Sequence, residues 1–293
     1  MTPVTSSLRK IVHRTRGKAH GPITRLMSPS DLGEALKPFV FLDIFDLADS
    51  SKAAFGLHPH SGIATVTVFT DGDASFDDGE GHRGIIGYGG VEWMRAGSGV
   101  WHGQELGAGT TPGIKGFQLW LSLDPDLELS TPDSQYIEAH QTPEAGPAHL
   151  IVGQYASEQS PVRAPAGINY LLVRLRAGET WHYKTPVGHS VGWLAIAEGE
   201  VTLDATAAAG EMVVLDRNDG EIDVRASGFG DAVFVLGTAK PHLHPLHLGS
   251  HSVHTSPTAL QQGETRIAAL RVKLIERERT RAATNNGSVP VMR

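Results

Sequence analysis

Short apolar runs of strand length, many of them ended by glycine, constrain the fold of this chain more than any other feature of its sequence. The clearest run covers residues 62–69, where Thr65 and Thr67 alternate with Val66 and Val68. Residues two apart on a strand share a face, so this alternation predicts a β-strand. Similar runs recur along most of the chain. Many short strands at regular spacing are typical of an all-β sandwich or barrel.

The strand pattern is interrupted once, by a stretch rich in proline and acidic residues over residues 124–148. Such composition is typical of a linker or a domain boundary. Short strands and glycine turns resume after it. A chain of 293 residues is about right for two domains. We therefore expect two tandem β-barrels, the first in residues 1–140 and the second in residues 141–293.

The last part of the chain departs from the strand pattern. Ser256-Pro257 is typical of an N-cap followed by proline at the first helical position. Apolar residues between Ile267 and Ile275 then recur at helical spacing. The sequence predicts a short amphipathic C-terminal helix docked on a barrel, followed by a loose tail from Ala282.

The composition limits the chemistry and the partners. The chain has 15 histidines and no cysteine, which excludes disulfides, cysteine-type zinc sites, iron–sulfur clusters and thiol nucleophiles. Any metal must be held by imidazole with carboxylate, amide or water. No apolar run reaches membrane-spanning length, and the net charge of −7 argues against direct nucleic-acid binding. We expect a cytoplasmic protein. The basic first 30 residues allow two interpretations, an organellar transit peptide or an exposed first strand, and we favour the strand.

His58-Pro59-His60 is the first candidate for a metal site. Two histidines two apart on a strand point to the same face, so both imidazoles can reach one ion. Chance gives roughly 0.8 such pairs in a chain this rich in histidine, and residues 242–244 form another. The first pair carries more weight because it precedes the clearest strand and because His102 ends a later glycine-rich block. A histidine pair and a third histidine a few strands later can form an open metal site on the inner wall of a small barrel.

Four blocks of the sequence resemble the pirin family of bicupins in their order and spacing. They are His58-Pro59-His60, Gly84-Ile85-Ile86-Gly87, Val91-Glu92-Trp93-Met94 and Ala96-Gly97-Ser98-Gly99-Val100-Trp101-His102. The resemblance is specific over about residues 38–105 and looser, but collinear, through the second half. It implies two cupin jelly-roll barrels with a divalent ion in the first barrel only. Fe(II) is the ion we expect, with nickel, manganese, copper, cobalt and zinc as alternatives.

The resemblance also implies which residues hold the ion. The pirin ligands correspond to His58, His60 and His102, and the fourth ligand, a glutamate in the family, corresponds to Gln104. Glu105 follows one place later, and strand alternation would point its side chain away from that of Gln104. The expected site is therefore either a three-histidine site or one completed by Gln104, Glu105 or water. Both of these residues are also our candidates for a catalytic role.

The sequence departs from the family pattern at two positions. Gln104 replaces the ligand glutamate, and Ala64 replaces the usual glutamate in the strand after the first motif. A neutral amide is a poorer ligand than a carboxylate and cannot act as a general base. The base is therefore the weakest part of any catalytic scheme.

The remaining histidines are not expected to form a functional site. In the second half, Lys184 stands where the partner of His182 in a histidine pair would be, so no metal is expected there. The densest group, over residues 242–254, could form a second metal site. Its prolines and glycine favour an irregular, exposed segment without function instead.

Two functions follow from the resemblance. One is a dioxygenase that opens the ring of a flavonol such as quercetin, or another catechol-like ring, with dioxygen. There the ion would bind the deprotonated substrate hydroxyl and bring dioxygen beside it. The alternative is a non-catalytic regulator whose metal state controls binding to a transcriptional or metabolic partner protein.

Overall fold

The fold is built mainly from β-strands, as the sequence predicts. The structure, a computed structural model, describes residues 8–53, 56–78 and 81–284. The strands of the first half of the chain are β1 (Ile11–Thr15), β2 (Lys18–His20), β3 (Ile23–Met27), β4 (Phe39–Leu47), β5 (His58–His60), β6 (Ile63–Asp71), β7 (Ala74–Asp77), β8 (Arg83–Ile86), β9 (Val91–Arg95), β10 (Val100–His102), β11 (Leu106–Ala108), β12 (Ile114–Ser122) and β13 (Asp133–Ile137).

The second half repeats this pattern and ends in a helix. Its strands are β14 (Glu144–Ala145), β15 (Ala148–Val152), β16 (Gln154–Tyr155), β17 (Glu158–Gln159), β18 (Ile168–Leu175), β19 (Thr180–Tyr183), β20 (Val191–Glu198), β21 (Glu200–Thr202), β22 (Thr206–Ala208), β23 (Met212–Leu215), β24 (Ile222–Ala226), β25 (Ala232–Ala239), β26 (His247–Leu248) and β27 (Val253–His254). Two α-helices, α1 (Leu32–Leu36) and α2 (Pro257–Thr284), and two 3-10 turns, Ser50–Ala53 and Ala139–Gln141, complete the described part of the chain.

Each half consists of one large antiparallel sheet and smaller sheets. In the first half the large sheet has seven strands in the order β13-β9-β6-β12-β4-β3-β2, beside the smaller sheets β11-β7-β8 and β10-β5. Phe45 and Phe69 of the large sheet pack with Phe76 and Leu106 of a small sheet, so the interior of this half lies between them. In the second half the large sheet is β1-β23-β20-β25-β18-β15-β14, and the smaller sheets are β19-β24-β21-β22, β16-β17 and β26-β27.

The two large sheets pack against each other and form the main core. Val66 and Trp93 of the first sheet belong to the same buried cluster as Tyr170 and Trp193 of the second. Each large sheet is therefore covered on both faces, one by its partner sheet and the other by the interior of its own half. The alternation of residues 62–69 follows from this arrangement, since Val66 faces the second sheet and the flanking threonines face the interior of the first half.

Both ends of the chain cross from one half to the other. Strand β1 pairs with β23, so the N-terminal strand belongs to the sheet of the second half. The C-terminal segment returns to the first half, where Ser61 bridges to Ser252 and the indole N–H of Trp101 donates to the carbonyl of Ile267 at 3.0 Å. The expected domain division at residue 140 stays a prediction. Each terminal segment pairs with the half on the other side of that division.

Arg9 corrects one expectation about the N-terminal region. The strand that we favoured is present, but the arginine just before it is buried rather than exposed. Its guanidinium donates to the backbone carbonyls of His189, Ser190 and Asp216. Burial lowers the pKa of Arg9 to about 10. This side chain thereby fastens the N-terminal segment to the second half.

Helix α2 begins where the sequence predicts but is not short. It starts at Pro257, and the Ser256 hydroxyl accepts a hydrogen bond from the N–H of Ala259, which is an N-cap. The helix has 28 residues and continues to Thr284, past the position where a loose tail was expected. The last nine residues lie outside the described part. Within the described ranges, no helix combines the length and the apolar character needed to cross a membrane.

Candidate metal centre

The three predicted histidine ligands meet on two paired strands of the first half. Strands β5 and β10 are antiparallel, and His102 lies opposite His58 in their register. His58 and His60 share a face of β5 because they are two residues apart. The ring centroid of His58 lies 4.9 Å from that of His60 and 4.5 Å from that of His102. One ligand atom from each of the three lies within 4.8 Å of the others, so the group could hold a metal ion.

Hydrogen bonds from Nδ1 fix the imidazole rings of His58 and His60. Nδ1 of His58 lies 2.8 Å from the carbonyl oxygen of Gly56, and Nδ1 of His60 lies 2.9 Å from that of His251. A carbonyl oxygen only accepts, so each Nδ1 carries the proton and each Nε2 carries a lone pair. The Nε2 atoms of His60 and His102 are buried and have no hydrogen-bond partner. A histidine metal ligand commonly donates its other ring N–H to a carbonyl in this way.

Burial keeps these imidazoles in the neutral form that a metal requires. Desolvation lowers the pKa of His60 to about 3, and the neighbouring His58 adds to the effect. The pKa of His102 is likewise well below its usual value because of burial and the two other histidines. The pKa of His58 is also lowered, again mainly by burial. Neutral imidazoles with buried, unpaired lone pairs are suited to bind a divalent transition metal.

The loop after His102 turns Gln104 and Glu105 in different directions. Strand β10 ends at His102, and Gly103 adopts a φ of +120°, which interrupts the alternation of a strand. Gln104 is therefore exposed and Glu105 is buried. The Glu105 carboxylate accepts hydrogen bonds from the backbone N–H groups of Gly103 and Gln104, at 2.7 and 2.8 Å. Glu105 thus holds the loop in shape and lies outside the group of three histidines.

Gly103 also shows why this loop can approach the histidines so closely. A Cβ atom at this position would lie 2.2 Å from the carbonyl oxygen of Gly56 and 3.0 Å from Nδ1 of His58. Any side chain would therefore push against the segment that orients His58. Glycine is needed here both for the backbone conformation and for the space.

Glu92 is a buried carboxyl group that the sequence reasoning did not select. It lies on β9 opposite Thr67 of β6, between Val91 and Trp93, whose side chains pack in the core between the large sheets. Alternation therefore turns Glu92 towards the interior of the first half. Burial raises its pKa to about 7, the negative charge of Glu105 adds to the increase, and the Thr67 hydroxyl opposes it. An acid at an inward position of an apolar strand was the signal available in the sequence.

An aromatic surface borders the histidine group. The ring of Trp120 lies 4.8 Å from that of His60, and Phe41 stacks on Trp120 with centroids 4.0 Å apart. The guanidinium of Arg25 lies over the Phe41 ring, 3.9 Å from its centroid. Nε1 of Trp120 is buried without a partner. Trp120, which is partly exposed, thus places an aromatic ring beside the histidines.

The histidines of the second half make local contacts of their own. His182 is on the surface, where Nδ1 lies 2.7 Å from a carboxylate oxygen of Asp223. His189 is buried, with Nδ1 3.2 Å from the hydroxyl of Thr238. The two rings therefore have different partners, Asp223 on β24 and Thr238 on β25.

The C-terminal histidines correct another expectation. The segment was predicted to be irregular and exposed, but it contains the hairpin β26–β27, and both His242 and His254 are buried. Nδ1 of His242 lies 3.0 Å from Asp124, and Nδ1 of His254 lies 2.9 Å from Glu128. The cluster is therefore not one metal site. His242 and His254 make separate contacts with the first half.

The paired sheets and the histidine group define a bicupin fold with a candidate metal centre in its first half. The family model described as Pirin matches residues 22–121. A pirin-like protein of Caulobacter vibrioides is 32% identical over 239 residues, which cover 76% of this chain and 83% of the relative. The chain belongs to the pirin family, as the sequence blocks predict.

Solved structures confirm the fold. A quercetin 2,3-dioxygenase from Acinetobacter baumannii has a TM-score of 0.78 at 24% identity, covering 88% of this chain and 96% of that one. A bacterial pirin from Escherichia coli in complex with nickel(II) has a TM-score of 0.59 at 19% identity, covering 80% and 99% of the two chains. At these identities the likeness establishes the cupin architecture.

Proposed function

We propose that this chain is a metal-dependent dioxygenase that acts on a flavonol or another catechol-like ring. The observation that carries the proposal is the pair of buried Nε2 atoms, on His60 and His102, that lack a hydrogen-bond partner beside His58. A buried polar atom without a partner is costly, and an ion at this point would remove the cost.

The donor set suits a first-row divalent metal. Three neutral imidazoles bind iron, nickel, copper, cobalt, manganese or zinc, and three protein ligands leave positions open for water or substrate. Fe(II) is our first choice, and the nickel(II) of the Escherichia coli pirin supports nickel as an alternative. When bound, the ion would supply Lewis-acid polarisation of a substrate hydroxyl and a binding position for dioxygen.

The aromatic residues beside the histidines support a flat aromatic substrate. Trp120 would stack on the substrate ring, and Phe41 with Arg25 holds the indole in place from the opposite side. The name of the Acinetobacter baumannii relative, a quercetin 2,3-dioxygenase, points to the same class of substrate. The chain thus has a surface that can orient the ring before any proton is moved.

Glu92 is the group that we assign as the acceptor of the substrate's hydroxyl proton. Gln104 cannot act as a base, and the carboxylate of Glu105 already accepts two backbone hydrogen bonds. Glu92 faces the same interior, and its pKa of about 7 lies close to neutral pH, where a general base works best. This carboxyl would replace the one that the family carries at the position of Gln104.

One set of measurements tests the proposal. The purified protein is reconstituted with Fe(II) or Ni(II), bound metal is measured by elemental analysis, and aerobic loss of flavonol absorbance is followed. We expect metal-dependent bleaching that His60→Ala abolishes by loss of the metal, and that Glu92→Gln reduces with the metal retained. Stoichiometric metal without bleaching would refute the dioxygenase and leave the non-catalytic regulator. Failure to bind any of these metals would refute both.

A further inference from the structure

A buried chain of hydrogen bonds lies directly beside the candidate metal centre. Nε2 of His254 lies 2.9 Å from the hydroxyl oxygen of Ser61, and Nδ1 lies 2.9 Å from the carboxylate of Glu128. The three residues are at most 3% exposed. The carboxylate also accepts hydrogen bonds from the N–H and the hydroxyl of Thr255, at 2.7 and 2.6 Å. Nδ1 therefore donates to Glu128, and Nε2 shares the second hydrogen bond with the Ser61 hydroxyl.

This order of serine, histidine and carboxylate is the arrangement of a hydrolase triad, but access excludes that activity. Ser61 is completely buried. Helix α2 covers it at Gly263, where a Cβ atom would lie 2.4 Å from the serine hydroxyl oxygen and 2.5 Å from Nε2 of His254. A substrate carbonyl cannot reach this hydroxyl while the helix is in place.

The hydrogen bonds instead fasten the C-terminal segment to the strand that carries His60. Ser61 follows His60 in the chain, and it forms a bridge with Ser252, whose hydroxyl lies 3.0 Å from its own. The N–H of Val253 also donates to the carbonyl of Ser61. These contacts directly follow His251, whose carbonyl accepts the Nδ1–H of His60.

We propose that Glu128, His254 and Ser61 are positioning residues for the metal centre. They hold the 251–254 segment at a fixed distance from β5, so that the carbonyl of His251 sets the tautomer and the direction of His60. The Nε2 lone pair of His60 then points towards His58 and His102 before any ion arrives. This inference rests on the proposed metal site, and it assigns a role to C-terminal residues that the sequence reasoning regarded as unrelated to chemistry.

The test compares Co(II) binding by the full chain and its variants, by calorimetry and by the visible d–d spectrum. For Glu128→Gln we expect Co(II) affinity to fall about 10- to 100-fold, as for other losses of support to a histidine ligand, with a shifted spectrum. Ser61→Ala, a smaller change, should weaken binding in the same direction. A merely structural role would lower thermal stability without moving the spectrum of the bound ion.

The control is Leu243→Ala, which truncates a side chain of the same C-terminal segment that is 88% exposed. We expect it to bind Co(II) as the wild type does. Wild-type affinity and spectrum in both Ser61→Ala and Glu128→Gln would overturn the proposal, and if Glu128→Gln does not fold, Ser61→Ala decides alone. If the wild-type chain binds no Co(II), the proposed metal site itself fails, which is a different result.

Discussion

His58 and His102 face each other across two paired strands, with their ring centroids 4.5 Å apart. Antiparallel pairing brings together two residues that are distant in sequence, and His60 completes the group from the same strand as His58. The arrangement therefore depends on strand register as well as on the identity of the residues.

Removal of His60 should abolish metal binding. His60→Ala deletes one of three ligands. Loss of a contact that only supports a ligand lowers metal affinity about 10- to 100-fold, so we expect a larger fall here. The control is His13→Ala, at an exposed position on β1. Calorimetric titration with Ni(II) measures both, and equal affinities would show that the ion binds elsewhere.

Gln104→Glu separates two models of the fourth ligand. The family pattern implies that a glutamate here should tighten metal binding. Because Gln104 is exposed, we expect instead an affinity within about 2-fold of the wild type, a difference of only about 0.4 kcal/mol. Tightening of 10-fold or more in the same Ni(II) titration would place this side chain among the ligands.

Glu92→Gln should remove the acidic limb of the pH–rate profile. The base must be ionised to accept a proton, so wild-type kcat/KM should rise with pH through about 7. The amide cannot ionise, so the variant should be slow and insensitive to pH in this range. Metal content, measured on the same samples, should not change. If the acidic limb is unchanged in the variant, the limb reports the ionisation of another group.

The same substitution should affect stability in a pH-dependent way. Burial raises the pKa of Glu92 from 4.5 to about 7, so the native state favours the protonated form, and the stability present below pH 4.5 is lost as pH rises through 7. Above pH 7 the ionised carboxyl costs up to about 3 kcal/mol. Glu92→Gln should therefore raise the free energy of unfolding of the metal-free protein more at pH 8 than at pH 5. Exposed Glu200→Gln is the control, and equal effects at both pH values would contradict the assignment.

Gly103→Ala should damage the metal centre selectively. The φ of +120° and the contact with the carbonyl of Gly56 together should cost more than about 1–3 kcal/mol, unless the loop moves away from His58. We expect lower thermal stability and weaker Ni(II) binding. Gly146→Ala is a matched control, since Gly146 also has a positive φ but no atom lies near its Cβ position. Similar losses in both variants would point to backbone strain alone.

Local patterns in the sequence were sufficient to predict the strands, the start of α2 and the three histidines. Alternation of side chains and N-cap chemistry act over a few residues, so they can be recognised without knowledge of the fold. The resemblance of the blocks to pirins then indicated that His102 belongs with His58 and His60.

Contacts between distant segments could not be predicted in this way. The exposure of Gln104 depends on a single positive φ at Gly103, which the pattern of a strand does not reveal. The burial of His254 depends on Glu128, in a part of the chain that the sequence indicated to be a linker. Glu92 lies within one of the four sequence blocks, but its proposed role depends on what surrounds it in three dimensions.

The crossing of the two chain ends has a consequence for biosynthesis. Translation proceeds from the N-terminus, so His58, His60 and His102 leave the ribosome long before His251, whose carbonyl orients His60. Strand β1 likewise waits for β23 before its backbone groups can pair. The metal centre can reach its final geometry only after His251 has left the ribosome. An ion captured earlier by the nascent chain would be held by imidazoles that are still free to turn.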